Sequence, residues 1–285
     1  MSLSTLIDDR NQFCFRAALR TIALLALAVL SSGCFRPPAT TVPLRTIDMA
    51  GGSPESKCLV IFLQGRGDTP EHFVRNDFPA ALRKAGSRCA TLGVDAHMGY
   101  YIERTIADRL SEDVIAPAKA KGFEEIWLVG ISIGGFGSLL YTKDHPGEID
   151  GIVALSPFLG DKKLIGDIQA AGGVDNWHPE ETPMMKDFIA FWQWLKGYRA
   201  SDDDHPPLFL AYGRGDRFAG ANDLLAEMLP ADHVFQVRGG HTWRTWRRAW
   251  DAFLQSEYVP GRTASTRSAA APTYSGRSAS PRAGS

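Results

Sequence analysis

The stretches Leu59-Val60-Ile61-Phe62-Leu63 and Ile126-Trp127-Leu128-Val129 are apolar without interruption. Successive side chains of a strand point to opposite faces, so an unbroken apolar run marks a strand covered on both sides, as in a parallel sheet flanked by helices. Parallel neighbours also need long crossovers, and the chain between such runs must supply helices. Strand-like runs at 58–63, 89–94, 125–129, 151–155, 207–212 and 234–237 alternate with helix-compatible stretches at 71–84, 101–121, 134–143, 219–229 and 242–255. That order predicts an α/β domain with a mostly parallel central sheet flanked by helices. The segment 160–204 breaks the rhythm. It has no convincing strand and carries Trp177, Phe188, Phe191, Trp192, Trp194 and Tyr198, which reads as a small helical cap insertion. Phe188, Phe191, Trp192 and Leu195 share one helix face, for packing onto the body or for lining an aromatic pocket.

The ends differ in kind from the middle. Arg10, Arg16 and Arg20 precede the apolar run 21–30, which is too short to cross a membrane and reads as the core of an export signal over 1–33. Leu30-Ser31-Ser32-Gly33-Cys34 resembles a bacterial lipobox, which implies lipidation of Cys34, an anchor in a membrane and a place in the cell envelope. A cleaved signal with a periplasmic or secreted product is the other reading. Residues 34–57 form a linker with a first-strand region, 58–258 the body, and 259–285 a Ser-, Ala- and Arg-rich tail with too little apolar surface to fold. With 31 Lys and Arg against 32 Asp and Glu, the chain has no broad electrostatic reason to bind nucleic acid. Cys58 and Cys89 sit at the starts of strand-like runs, where parallel neighbours would bring them together; a disulfide and a pair of buried thiols are both open.

The chemistry lies at the far ends of these strands. The run at 125–129 leads through Gly130-Ile131-Ser132-Ile133-Gly134 into a helix, a turn that lifts a serine hydroxyl above the sheet edge, with small residues where side chains would collide. A serine alone is inert without a base. After 207–212 comes Gly213-Arg214-Gly215-Asp216, and after 234–237 comes Arg238-Gly239-Gly240-His241. An acid and a histidine thus occupy successive loops where parallel sheets carry their ligands. His241 would take the Ser132 proton while Asp216 orients the ring, and Asp161 is the rival acid. Oxyanion donors would be the N–H groups of Ile133 and of Arg66, in the loop Gln64-Gly65-Arg66-Gly67-Asp68. His97, on the loop after 89–94, could also face the site.

These segments resemble the α/β-hydrolase superfamily. Residues 62–68 are similar to the His-Gly-x-Gly-Asp loop of the phospholipase/carboxylesterase family, with Gln64 where that family carries His, and 240–246 are similar to the histidine segment of esterase D-like enzymes. The resemblance covers about 58–254 and implies the α/β-hydrolase fold and a serine carboxylesterase without a cofactor. A small-molecule or lipid-like ester would be the substrate. Acyl transfer or peptide cleavage on the same three residues, or a catalytically silent envelope binding protein, are the alternatives. Arg66 and Arg214 near the mouth would favour an anionic group, and the cap aromatics an apolar one. No metal-ligand or phosphate-loop motif occurs, and Asp202-Asp203-Asp204-His205 reads as a solvated loop.

Overall fold

The computed structural model describes residues 38–49, 55–180, 182, 185–199 and 205–262. The expected leader, the lipobox with Cys34, Asp202 to Asp204 and the tail from 263 onward lie outside the described residues.

The strands are β1 (Thr46–Asp48), β2 (Cys58–Leu63), β3 (Ala90–Val94), β4 (Glu125–Ile131), β5 (Gly151–Leu155), β6 (Leu208–Gly213) and β7 (Val234–Val237). They form one seven-stranded sheet in the order β1-β3-β2-β4-β5-β6-β7. All pairings are parallel except that of β1, which runs antiparallel to β3 with Ile47 opposite Gly93. This edge strand is absent from the six runs because its three residues hold a single apolar side chain. Six-residue β2 is buried throughout. Leu59, Ile61 and Leu63 enter one core and Val60 and Phe62 the other, so each face needs its own apolar set.

The helices cover both faces. On one side lie α1 (Glu71–Arg75), α2 (Phe78–Lys84) and α10 (Trp243–Leu254), whose Phe73, Phe78, Trp246, Trp250 and Phe253 build the aromatic second core. On the other lie α3 (Met98–Ile102), α4 (Ile106–Leu110), α5 (Ala116–Ala120), α6 (Ile133–Asp144) and α9 (Ala219–Ala226), with α7 (Lys162–Ala170) and α8 (Lys186–Leu195) between β5 and β6. No strand occurs among the described residues of that insertion. Trp192 is fully buried there and donates its indole N–H to the Leu159 carbonyl at 3.1 Å.

Two expected helices are broken, one of them beside a proline. The stretch 71–84 splits at Asp77, in the left-handed region at φ 58°, because Pro79 has no N–H to continue the first helix. The stretch 101–121 breaks at Arg104, φ 60°, and then widens into a π turn, Ser111–Ile115. Pro117 cannot donate to the carbonyl four residues back, and Ala116 instead bonds to Ser111.

At the amino edge of the sheet Cys58 and Cys89 are joined by a disulfide, with Cα atoms 4.5 Å apart. Residues 259–262, expected in the unfolded tail, pack here instead: Val259 is buried in the second core, and Arg262 closes over this edge, donating to the carbonyls of Ala85 at 2.8 Å and Ser256 at 3.0 Å.

Candidate active site

Three loops meet at the opposite, carboxyl edge. The first joins β4 to α6 through Ser132, whose φ of 55° and ψ of −114° lie outside the ordinary regions, a conformation that costs on the order of 1–3 kcal/mol. Neighbouring backbone holds it there. Ser132 N–H donates to Leu155 O at 3.0 Å, and its carbonyl accepts from Phe158 N–H at 2.9 Å and Phe136 N–H at 3.1 Å. The turn fits only because Gly134 is bare: a Cβ there would sit 2.2 Å from the Leu63 carbonyl oxygen.

The second and third loops are bonded to each other before any side chain is considered. Arg214 N–H donates to Val237 O and Gly215 N–H to Gly239 O, both at 2.9 Å. Gly239, at φ 137°, lies against Thr245, where a Cβ would come within 2.2 Å of the hydroxyl. Asp216 and His241 thereby project side by side. His241 Nδ1 lies 2.9 and 3.0 Å from the two Asp216 carboxylate oxygens, and Nε2 lies 3.0 Å from Ser132 Oγ. The imidazole is wedged edge-on between Phe218, at 4.9 Å, and Trp246, at 4.8 Å, which fixes its plane. Asp161 is not part of this set. It caps α7, accepting the Leu164 N–H at 2.8 Å. His97 caps α3 in the same manner, its Nδ1 accepting from Gly99 N–H.

Ser132 and Asp216 are buried, and His241 is nearly so. Burial alone would raise the Asp216 pKa. The hydrogen bonds from His241 and from Phe218 N–H, at 2.9 Å, outweigh it and hold the carboxyl below its ordinary value. An ionised acid against Nδ1 fixes the tautomer with its proton on that nitrogen and leaves Nε2 to accept from the serine.

The loop after β2 flanks the serine. A Cβ on Gly65 would lie 3.6 Å from Ser132 Cβ. Arg66 is the second residue of a turn closed by Asp68 N–H on Gly65 O, and Gly67 takes the positive φ of 82° at its third position. Two side chains missed by sequence reasoning pin this loop. Buried Gln64 donates to Asp95 at 2.9 Å and accepts from Ala96 N–H at 3.2 Å, and Trp243, two residues beyond His241, donates its indole N–H to Asp68 at 3.0 Å. The Gln64 departure from the family pattern was the signal for the first. Ile133 opens α6, so its N–H has no intrahelical acceptor and points with the positive end of the helix dipole. Among the described residues, no group of three His, Cys, Asp or Glu side chains has the arrangement of a metal site, and no helix is long and apolar enough to cross a membrane.

The family model for the alpha/beta hydrolase fold matches residues 59–207. No curated protein matches the chain in sequence. Among solved structures it is similar to Est1E from Butyrivibrio proteoclasticus, at 19% identity over 76% of this chain and 96% of that one, with a TM-score of 0.49. An S-formylglutathione hydrolase from Staphylococcus aureus is similar at 16% identity over 70% and 79%, with a TM-score of 0.47. A bacterial membrane phospholipase A is similar at 16% identity over 88% and 96%, also with a TM-score of 0.47. Likenesses this distant say nothing about substrate.

Proposed function

The chain belongs to the alpha/beta hydrolase fold family, and from that premise we propose that it is a serine esterase cleaving carboxylic esters through an acyl-enzyme. One observation carries the reading: the unbroken relay from the Asp216 carboxylate through His241 to Ser132 Oγ, with no contact longer than 3.0 Å. Ser132 Oγ attacks the ester carbonyl as His241 Nε2 takes its proton. The carbonyl electron pair moves onto oxygen, where the N–H groups of Ile133 and Arg66 receive it. Collapse of the tetrahedral species breaks the bond to the alcohol oxygen, which leaves with the proton from Nε2. Water then repeats the sequence on the acyl-enzyme and releases the acid. Asp216 stays ionised throughout and stabilises the imidazolium.

On the same reading the substrate is a small-molecule or lipid-like ester, and Cys34, outside the described residues, carries a lipid that holds the enzyme at the cell envelope. Turnover of p-nitrophenyl acetate and butyrate, compared between the wild type and Ser132→Ala, tests the chemistry. The variant is expected to lose on the order of 10⁵–10⁶ in kcat. A folded variant as active as the wild type would remove Ser132 from the mechanism.

A further inference from the structure

The segment leading into β1 joins the body at the catalytic edge of the sheet. Because β1 runs antiparallel to β3, with Thr46 opposite Val94 at the end of that strand, the residues just before β1 lie on the edge where Ser132 lies. In the sheet β3 stands two strands from β4, which leads into Ser132, roughly 10 Å away. Contacts with three other segments pin this entry. The Thr40 hydroxyl donates to Glu103 at 2.7 Å, Thr41 N–H to the Tyr100 hydroxyl oxygen at 3.1 Å and Leu44 N–H to Asp113 at 2.8 Å, and Arg45 forms an ion pair with Glu71 of α1.

Among the described residues three large apolar side chains are exposed: Val42 at 74%, Ile102 at 57% and Val74 at 47%. Single exposed apolar residues scattered over a surface need no explanation. These three are not scattered. Val42 stands in the entry segment, followed by exposed Pro43; Ile102 ends α3, two residues after Tyr100 and one before Glu103, the partners of Thr41 and Thr40; and Val74 lies on α1, three residues after Glu71, the partner of Arg45. Both α1 and α3 are five residues long, about 8 Å, so neither carries its side chain far from the catalytic edge. The charges around them are largely paired, Arg45 with Glu71 and Asp95 and Arg104 with Asp187. Arg75, next to Val74, is exposed and makes no ion pair among the described residues, which leaves it to meet an anionic phosphate.

Thr40, the first described residue with a bond to the body, follows Cys34 by six positions. Six residues span at most about 22 Å however they are arranged, whereas a folded body of this size is roughly 40 Å across. Resting on the reading of Cys34 as lipidated, we propose that the surface bearing Val42, Val74 and Ile102 is a membrane-docking face, seated on a bilayer with anionic headgroups and turning the catalytic edge toward it. The short tether sets the distance of the entry segment from the lipid. The three side chains set the orientation, because each loses its apolar contact with water only when this face is down. The amino edge, with the Cys58–Cys89 disulfide, then points away from the membrane. An ester carried in the bilayer would reach Ser132 from the side on which the enzyme sits.

Hydroxyl-radical footprinting of the full chain, read by peptide mass spectrometry, tests the face. The protein is attached to vesicles of phosphatidylethanolamine and phosphatidylglycerol through its own lipid or, where Cys34 proves to be a bare thiol, through a maleimide phospholipid coupled to Cys34 in a Cys14→Ser background. Relative to the Cys34→Ser chain free in buffer, oxidation of Val42, Val74 and Ile102 should fall at least about threefold, while Phe123 and Tyr258 at the amino edge stay within about 1.5-fold. In Val42→Ser/Val74→Ser/Ile102→Ser, attached in the same way, Pro43 should lose the protection it has in the wild type. All three positions are exposed, so that variant keeps its fold, which its thermal unfolding checks. The mass of the peptide containing Cys34 decides the lipid separately: a bare thiol removes the anchor and leaves the face to be judged on the maleimide-coupled chain. Equal protection of the two edges, stronger protection at Phe123 and Tyr258, or none at Val42, Val74 and Ile102 overturns the docking face.

Discussion

The two edges of the central sheet are held in opposite ways. At the carboxyl edge Ser132 and Ser156 both have positive φ, Ser132 and Asp216 are buried, and the loops are fixed by backbone and side-chain hydrogen bonds. At the amino edge a disulfide joins the starts of β2 and β3, and Arg262 seals the surface above them. The carboxyl edge stores strain and polar burial that each oppose folding. It can do so because two apolar cores and a covalent tie make the rest of the sheet indifferent to that cost. Changes at one edge should therefore act on chemistry, and changes at the other on stability.

The largest expected effect tests the first half of that division. Asp216→Asn keeps the shape of the side chain but presents the wrong partner to Nδ1, and kcat for p-nitrophenyl butyrate should fall on the order of 10⁴-fold. The same variant reports on pH. Because the carboxyl is held below its ordinary value in the folded state, its pairing contributes stability that is complete above an unfolded value of about 4 and is lost as pH falls through the lower folded value. The melting temperature of the wild type should drop more steeply than that of Asp216→Asn as pH is lowered from about 5. Parallel curves would remove Asp216 from the acid sensitivity.

A smaller effect, opposite in kind, is expected at the amino edge. Replacing both Cys58 and Cys89 by Ser opens a loop spanning a sequence separation of 31, worth about 3.7 kcal/mol on the chain-entropy account. Denaturant unfolding should show that loss while kcat/KM stays within about twofold of the wild type. A large fall in kcat/KM of the folded variant would show that the edges are coupled.

The smallest effect sharpens the comparison inside the carboxyl edge. Trp243→Phe keeps the ring against His72 and Phe73 but removes the indole donor to Asp68, which should cost about 1 kcal/mol. If the bond sets the turn that holds Arg66, the loss appears in kcat with KM unchanged, since oxyanion contacts strengthen only in the transition state. A change in KM alone would assign Trp243 to substrate binding.

Much of the sheet was legible because burial on both faces leaves unbroken apolar runs, and Ser132, Asp216 and His241 were legible because glycines bracket them at strand ends. What was not legible depends on contacts between distant segments. Strand β1, expected only as a first-strand region somewhere within 34–57, has its place and extent set by its pairing with β3, and the Gln64–Asp95 and Trp243–Asp68 bonds join residues 31 and 175 positions apart. The packing of Phe136 of α6 against Phe188 and Phe191 of α8 needed the placement of one helix against the other, which a helical period cannot give. The break at Asp77 and the π turn were errors of another sort, since Pro79 and Pro117 stood in plain view.

The proposed chemistry depends on one activated serine. Stoichiometric treatment of the purified protein with a fluorophosphonate, followed by peptide mass spectrometry, measures that directly. The expected result is a single phosphonyl group on the peptide containing Ser132, formed rapidly in the wild type and far more slowly in His241→Ala. A folded wild type that takes no label, or takes it on Ser156 or another hydroxyl, would contradict the assignment of Ser132 as nucleophile.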